Sequence, residues 1–318
     1  MSLLCFNDRG IYCERAGLYI DPWRPVKRAL ITHGHSDHSR WGHERYLCQE
    51  DAAPAIRHRL PKAKVDTIAY GSAFSVNGVK FSFHPAGHIL GSSQIRVEYK
   101  GEIWVVSGDY KLEPDGISAP FEAVRCHNYI TESTFGLPVY HWPAQERVFQ
   151  SMNRWWYENS ELGRTSVLCA YSLGKAQRVL AGIDASIGPI YTHGAVEDLN
   201  EIIRKQRIVL PPTIRATEVK DHRAFSKALV ICPPSAIVTP WFKRFRRPVV
   251  AMVSGWMAVR GARRRRAADR GFVLSDHADW EGLNRSVRES GADSVFVTHG
   301  FTDAFARWLS ESGNYKAS

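Results

Sequence analysis

Short apolar runs separated by turn residues fill the first third of the chain: Leu18 to Ile20, Arg28 to Thr32, Val79 to Phe83, Gln94 to Tyr99 and Ile103 to Ser107. Such runs, a few residues long and bounded by Gly, Asn or Pro, read as strands. Gly78, and Lys100 with Gly101, fall where hairpins turn, so a mostly antiparallel sheet is expected, with one helix over Ala52 to Arg59. From about Val148 the period changes. Helical spacing over Phe149 to Tyr157, Lys175 to Ile183 and Glu197 to Lys205 separates apolar runs at Ser166 to Ala170, Pro189 to Thr192 and Leu229 to Cys232. Strands that alternate with helices imply a parallel α/β unit. The tail returns to strand, helix, strand, helix: Gly271 to Ser275, Trp280 to Glu289, Ser294 to Thr298 and Thr302 to Ser312.

With 318 residues the chain has room for two domains, or for one large domain carrying an insertion. Its composition, 44% hydrophobic and 23% charged, excludes collagen, wholesale disorder and a heptad rod. No apolar run is long enough for a membrane helix, and the start lacks the pattern of a secretion signal, so a cytoplasmic protein without membrane contact is expected. The six cysteines are scattered without a Cys-x-x-Cys pair, which argues for reduced, structural thiols.

The charge is unevenly placed. Of a net +10, the segment from Trp241 to Arg270 holds +9, ten Lys and Arg against Asp269 alone. Such a segment suits a polyanion, because each neutralised phosphate releases condensed counterions. Trp241-Phe242-Lys243-Arg244-Phe245-Arg246-Arg247 interleaves aromatics with cations, as single-strand binders do. Arg260, Arg263, Arg264, Arg265 and Arg266 follow, and Lys175 opens a helix whose free N–H groups attract anions. These ten cations are the candidate nucleic-acid contacts. The competing expectation is a solvated loop whose aromatics are core.

The densest chemistry is Thr32-His33-Gly34-His35-Ser36-Asp37-His38, directly after the apolar run Ala29 to Ile31. Alternate strand residues face opposite ways, so four ligand types in six residues need a loop to share them between ions. Further ligands are expected at other strand ends: His88 between two strands, Asp109 after Ile103 to Val106, and His299 after Val295 to Thr298. His84 competes with His88, but Gly87 and Gly91 favour His88 as the loop residue. The count gives His33, His35 and His88 to one divalent metal and Asp37, His38 and His299 to a second, with Asp109 between them. Imidazole and carboxylate suit zinc first and also manganese. Two adjacent metals lower the pKa of a shared water and clamp the oxygens of an in-line phosphoryl displacement, so Asp37 and Asp109 count as catalytic as well as ligating.

At these residues the sequence resembles the metallo-β-lactamase superfamily: Asp21 after a strand, the His33 to His38 cluster, His88 and Asp109 match its motifs in order. The resemblance implies a four-layer αβ/βα sandwich with metals at one edge. It also places Asp21 behind the ligands, holding the histidine loop. Three further segments resemble the β-CASP nucleases. Thr131-Glu132-Ser133-Thr134-Phe135-Gly136 matches motif A, Ser275-Asp276-His277-Ala278-Asp279 motif B, and Val297-Thr298-His299-Gly300 motif C. Tyr171 to Gln177 and Ser254-Gly255-Trp256 are similar to elements of the inserted β-CASP domain. The implied organisation is a metallo-β-lactamase domain over 1–135 and 261–318, interrupted by an α/β insert over 136–260.

Motif B makes His277 the expected general acid, since a histidine titrates near working pH. Glu132, Asp276 or Asp279 orients it, and Glu132 is either catalytic or a support to a metal histidine. The short chain, with Tyr19-Ile20-Asp21-Pro22 and Thr192-His193-Gly194-Ala195, is most similar to the bacterial ligase-associated DNA exonucleases. That implies an exonuclease acting on DNA in repair, associated with a DNA ligase and helicase. The histidine at motif C is typical of RNA-processing members and keeps a ribonuclease as the alternative. A small-ester or thioester hydrolase on the same fold is the more distant one.

Overall fold

The computed structural model describes residues 2–259, 268–312 and 315–318. The chain divides into two units, Met1–Pro138 with His277–Ser318, and Val139–Asp276.

In the first unit one sheet runs in chain order: β1 (Cys5–Asn7), β2 (Gly10–Cys13), β3 (Leu18–Ile20), β4 (Arg28–Leu30), β5 (Arg45–Gln49) and β6 (Val65–Ile68). Only β1 to β3 are antiparallel. From β3 to β6 the strands are parallel, and in this part alone the chain departs from the mostly antiparallel pairing expected of its first third. The connections at 21–27, 31–44 and 50–64 are crossovers rather than hairpins. Burial on both faces is the signature of such strands: Leu30 joins one core, while Ala29 and Ile31 join another.

The second sheet begins with β7 (Ala73–Val76), β8 (Val79–Pro85), β9 (Ser93–Tyr99) and β10 (Glu102–Val106), which are antiparallel. Asn77 with Gly78 and Lys100 with Gly101 all have positive φ, the backbone of tight two-residue hairpins. Parallel to β10 follow β11 (Asn128–Ser133) and, from the tail, β18 (Ser294–Gly300) and β19 (Lys316–Ala317).

Between the two sheets lies a core of Leu18, Ile20 and Leu30 against Phe81, Phe83, Ile95, Val97 and Trp104. The outer face of the first sheet packs Ile31, Tyr46 and Cys48 on α1 (Ala53–Arg59). On the outer face of the second, Val105, Tyr129 and Val295 meet Trp280, Leu283 and Val287 of α5 (Trp280–Ser290) and Phe305 and Leu309 of α6 (Thr302–Ser312). Helix, sheet, sheet, helix is the αβ/βα sandwich.

The second unit holds one parallel sheet of β12 (Thr165–Cys169), β13 (Ile190–Thr192), β14 (Ile214–Arg215), β15 (Leu229–Cys232), β16 (Pro248–Val253) and β17 (Arg270–Phe272). Its strand order is β14-β13-β15-β12-β16-β17, with α2 (Gln145–Glu161) leading into β12 and α3 (Lys175–Gly182) and α4 (Gly194–Lys205) in the connections. The apolar run of β16 lies inside the basic segment, which masks it as a strand in the sequence. Among the described residues, no helix is long and apolar enough to cross a membrane.

Candidate metal centre

The histidine loop occupies the crossover from β4 to β5, so it leaves the C-terminal end of a buried parallel strand. Asp21, just past β3 and at φ 42°, reaches across to it. Its Oδ1 accepts the Thr32 backbone N–H at 2.8 Å, and its Oδ2 accepts Thr32 Oγ1 at 2.5 Å and His38 Nδ1 at 2.7 Å. One carboxylate thereby fixes the start of the loop and the tautomer of His38. Ser39 closes the loop through its hydroxyl on the His35 carbonyl, 2.7 Å, and Arg59 at the end of α1 bonds the Ser39 carbonyl and hydroxyl.

Four ligand atoms converge beside this loop. His35 Nδ1 lies 3.0 Å from His33 Nε2 and 3.1 Å from His88 Nε2, while Asp109 Oδ2 lies 3.4 Å from His33 Nε2 and 3.7 Å from His88 Nε2. A tetrahedral ion with bonds of about 2.0–2.1 Å needs ligand–ligand edges of roughly 3.3 Å, so the quartet has the spacing of a coordination shell. The other oxygen of Asp109 stands 3.4 Å from His38 Nε2, and Asp37 Oδ2 stands 3.8 Å from the same nitrogen. That Nε2 is buried and makes no hydrogen bond. A buried ring nitrogen without a partner, flanked by two carboxylates, fits a divalent cation. His299, at φ 52° in the exposed end of β18, stacks on the His38 ring at 5.2 Å between centroids.

The electrostatics agree. Burial, with His38 alongside, holds the His33 imidazole well below its usual pKa and so in the neutral, ligating form. Burial pulls His38 the same way, but Asp109 and Asp21 outweigh it and raise its pKa well above the usual value. For Asp109 the raising effect of burial is overcome by His38 and His277, so it is ionised. Positive charge is thus favoured beside His38, where a proton and a metal compete.

A second group of ligand-type atoms, Asp109, Glu132 and His277, adjoins the first. Asp37, His38 and His299 fall in neither of these two compact groups among the described residues. His277 Nδ1 is held by Glu132 Oε2 at 2.8 Å and Oε1 at 3.0 Å. Glu132 Oε1 also accepts the Tyr110 backbone N–H at 2.9 Å, which anchors it from β11. Glu132, one of the three carboxylates expected to orient His277, is so placed. Asp279 accepts Gly282 N–H as the N-cap of α5. Asp276, in the second unit, pairs with Lys175 Nζ at 2.8 Å and Arg178 Nη1 at 3.3 Å.

Several expected nucleic-acid contacts look different in place. Lys175 is buried in its pair with Asp276 rather than presented to solvent at the α3 N-terminus. Phe245 is buried and Trp241 and Phe242 pack on the same core, so the aromatics interleaved with cations are structural. Arg244 bonds the carbonyls of Trp241 and Ala216 at 2.8 and 3.0 Å, whereas Lys243, Arg246 and Arg247 are exposed. Arg260, Arg263, Arg264, Arg265 and Arg266 lie outside the described residues. His84 lies against Ser82 and Glu122, not in the quartet. Thr32, between the strand and the first histidine, is a further residue of the site through its two hydrogen bonds to Asp21.

The sandwich, the inserted parallel sheet and this cluster define a metallo-β-lactamase/β-CASP fold with a divalent-metal site. No family model matches the chain. It is 31% identical over 312 residues, 96% of its length, to a probable DNA ligase from Opitutus terrae, and spans 30% of that protein. It is 34% identical over 123 residues to the endoribonuclease YSH1 of Yarrowia lipolytica, covering 38% of this chain and 15% of the relative. An RNase J-like protein of Methanocaldococcus jannaschii is 31% identical over 190 residues, 55% of this chain and 44% of that one. The chain therefore spans less than half the length of each of these relatives. A crystal structure of a protein of unknown function from Enterococcus faecalis V583 superposes with a TM-score of 0.60 at 11% identity, over 86% of this chain and 76% of that one, a likeness of fold. Together the similarities support a metallo-β-lactamase/β-CASP family.

Proposed function

We propose that the chain is a metal-dependent nuclease that hydrolyses phosphodiester bonds of DNA, as an exonuclease in repair. The observation that carries this reading is the adjacency of the His33, His35, His88 and Asp109 quartet to the His277–Glu132 pair, a hydrolytic metal site with a placed proton donor. When bound, divalent ions supply a nucleophilic water and neutralise phosphate oxygens; zinc is favoured and manganese is the alternative. Asp109 directs one oxygen to each side of the site, and Asp21 keeps His38 Nε2 turned toward Asp37 and Asp109. With Nδ1 of His277 donating to Glu132, the protonated ring would have the N–H of Nε2 to give to the leaving oxygen and would return to the neutral Nδ1–H form. General acids of this kind contribute about 10²–10⁴ in rate.

Support for DNA, and for association with a ligase and helicase, comes from the ligase-named relative and the resemblance to ligase-associated exonucleases. RNA is the second reading, supported by the two ribonuclease-named relatives and by His299 at motif C. Val139–Asp276 is read as the inserted domain, with Lys243, Arg246, Arg247 and the arginines of 260–266 as its phosphate-binding cations. Substituting Arg263 to Arg266 is expected to weaken binding at low salt and flatten the salt slope. The deciding experiment compares DNA and RNA single strands labelled at either end, with zinc or manganese and with Asp109→Ala as control. Progressive shortening of DNA, absent in the variant, supports the proposal. Preferential cutting of RNA replaces it with the second reading, and no cutting of either returns the site to small-ester hydrolysis.

A further inference from the structure

Beside the metal loop, within the first unit, lies a cavity of about 460 Å³ lined by Trp23, Arg24, Asp37, Arg40 and Trp41 among others. Its two walls are the 21–27 and 36–44 connections, and they are stitched together. The Val26 N–H donates to His43 Nδ1 at 3.3 Å, the Glu44 N–H to the Val26 carbonyl at 3.0 Å, and a Cβ at Gly42 would press on Pro25 at 3.1 Å. The concavity is therefore preformed rather than a gap between loose loops.

Its lining is unusual for a surface. Trp41 is 78% exposed and Trp23 42% exposed. Single exposed hydrophobics are ordinary, but two indoles and two guanidiniums sharing one hollow form a mixed aromatic and cationic face. Arg40 Nε donates to the Asp37 carbonyl at 3.2 Å, and Arg24 pairs with Asp8 in an exposed ion pair at 3.1 Å that a phosphate can replace. Asp37 is shared: its backbone anchors Arg40, while its carboxylate faces His38 Nε2 across 3.8 Å. Whatever fills this hollow lies next to whatever is bound at the metal cluster.

We infer that the hollow is a nucleobase subsite: a base of the single strand under attack stacks on Trp41 and Trp23, with Arg24 and Arg40 on the flanking phosphates. Indole faces and guanidiniums side by side are the chemistry that recognises stacked bases and their backbone without reading sequence. The volume lies within the range of small-ligand pockets. The subsite holds the nucleotide next to the one at the metals, and so sets which phosphodiester meets them. This inference rests on the nuclease reading and adds to it a strand contact made by the metal-bearing unit itself.

The test measures affinity for a short labelled strand with phosphorothioate linkages, in deoxyribose and ribose versions, with an abasic nucleotide moved one position at a time from the end. Wild-type protein is expected to lose about tenfold in affinity when the stacked base is the one removed. Trp41→Ala is expected to bind the intact strand about tenfold more weakly and to be indifferent to the abasic position. Trp41→Phe, which keeps an aromatic face, should restore part of both. The tighter of the two sugars identifies the source of the base. If wild type binds this strand and cuts its unmodified counterpart while the abasic scan is flat, or Trp41→Ala matches wild type, the subsite is overturned and the nuclease reading stands. If wild type neither binds nor cuts either strand, both fall.

Discussion

Glu132 holds Nδ1 of His277 with both of its oxygens, at 2.8 and 3.0 Å, across the 145 residues that separate the two in sequence. On the proposed mechanism, the far nitrogen of the ring, Nε2, is its working end. His277→Ala is expected to keep its metal and lose turnover by about 10²–10⁴. Glu132→Gln, which keeps an acceptor for Tyr110 N–H but no charge, should lose less. Metal content measured beside the rate separates a proton donor from a ligand, and a His277→Ala protein at wild-type rate would remove the residue from the chemistry.

Asp109 faces His33 with one oxygen and His38 with the other, both at 3.4 Å. Asp109→Asn is therefore expected to lower metal content and to shrink the rise in melting temperature that added zinc gives the wild type. Ligand saturation at a hundred times Kd is worth about 2.7 kcal/mol, within reach of a thermal shift. An Asp109→Asn protein with full metal content and an undiminished shift would contradict this arrangement.

Lys175 and Asp276 form a buried ion pair with Arg178 beside them. Removing the carboxylate strands the Lys175 ammonium, so Asp276→Ala should destabilise the protein by about 3–5 kcal/mol. Burial already pulls the pKa of Lys175 down, against the pull of Asp276. Denaturant unfolding measures the loss, and an unchanged midpoint would show the pair to be dispensable.

Burial lowers the His43 pKa to about 4. A histidine depressed in the folded state contributes stability that is complete above its unfolded pKa of about 6.5 and is lost as pH falls toward 4. The expected loss between pH 7 and pH 5 is about 2 kcal/mol, measured with a chelator present so that metal loss does not contribute. His43→Gln, which keeps an acceptor for Val26 N–H, should show a loss smaller by that amount.

Gly108, at φ 57°, brings the backbone before Asp109 against Thr32; a Cβ there would meet Thr32 Cβ at 2.6 Å. Gly108→Ala is expected to cost about 1–3 kcal/mol and to disturb the Asp21 hydrogen bond through Thr32. Unfolding and metal content report the two effects separately, and a variant unchanged in both would show that the contact yields freely.

The metal-ligating chemistry was legible because its residue types are conspicuous: four candidate ligands from His33 to His38 have few structural uses at that density. The strand-end positions of His88 and Asp109 followed from simple periodicity. What the sequence hid was mostly pairing. The directions of β4 to β6 depend on where each crossover returns the chain, which apolar runs do not encode. The charge run around Trp241 masks the apolar stretch Val249 to Val253, part of a strand that lies between two others in the sheet. Lys175 read as an exposed helix-terminal cation because its partner Asp276 lies a hundred residues on, and such partners leave no local trace.

The parallel pairing of β11 with β18 also has a temporal side. A chain emerging from the ribosome through Asp276 already carries His33, His35, His88 and Asp109. The strand bearing Glu132 then still has an open edge, because β18 has yet to be made, and an unpaired edge is a site for non-native pairing. His277 and His299 follow later in the chain. On the proposed mechanism, the quartet is complete in the nascent chain before its proton donor is made.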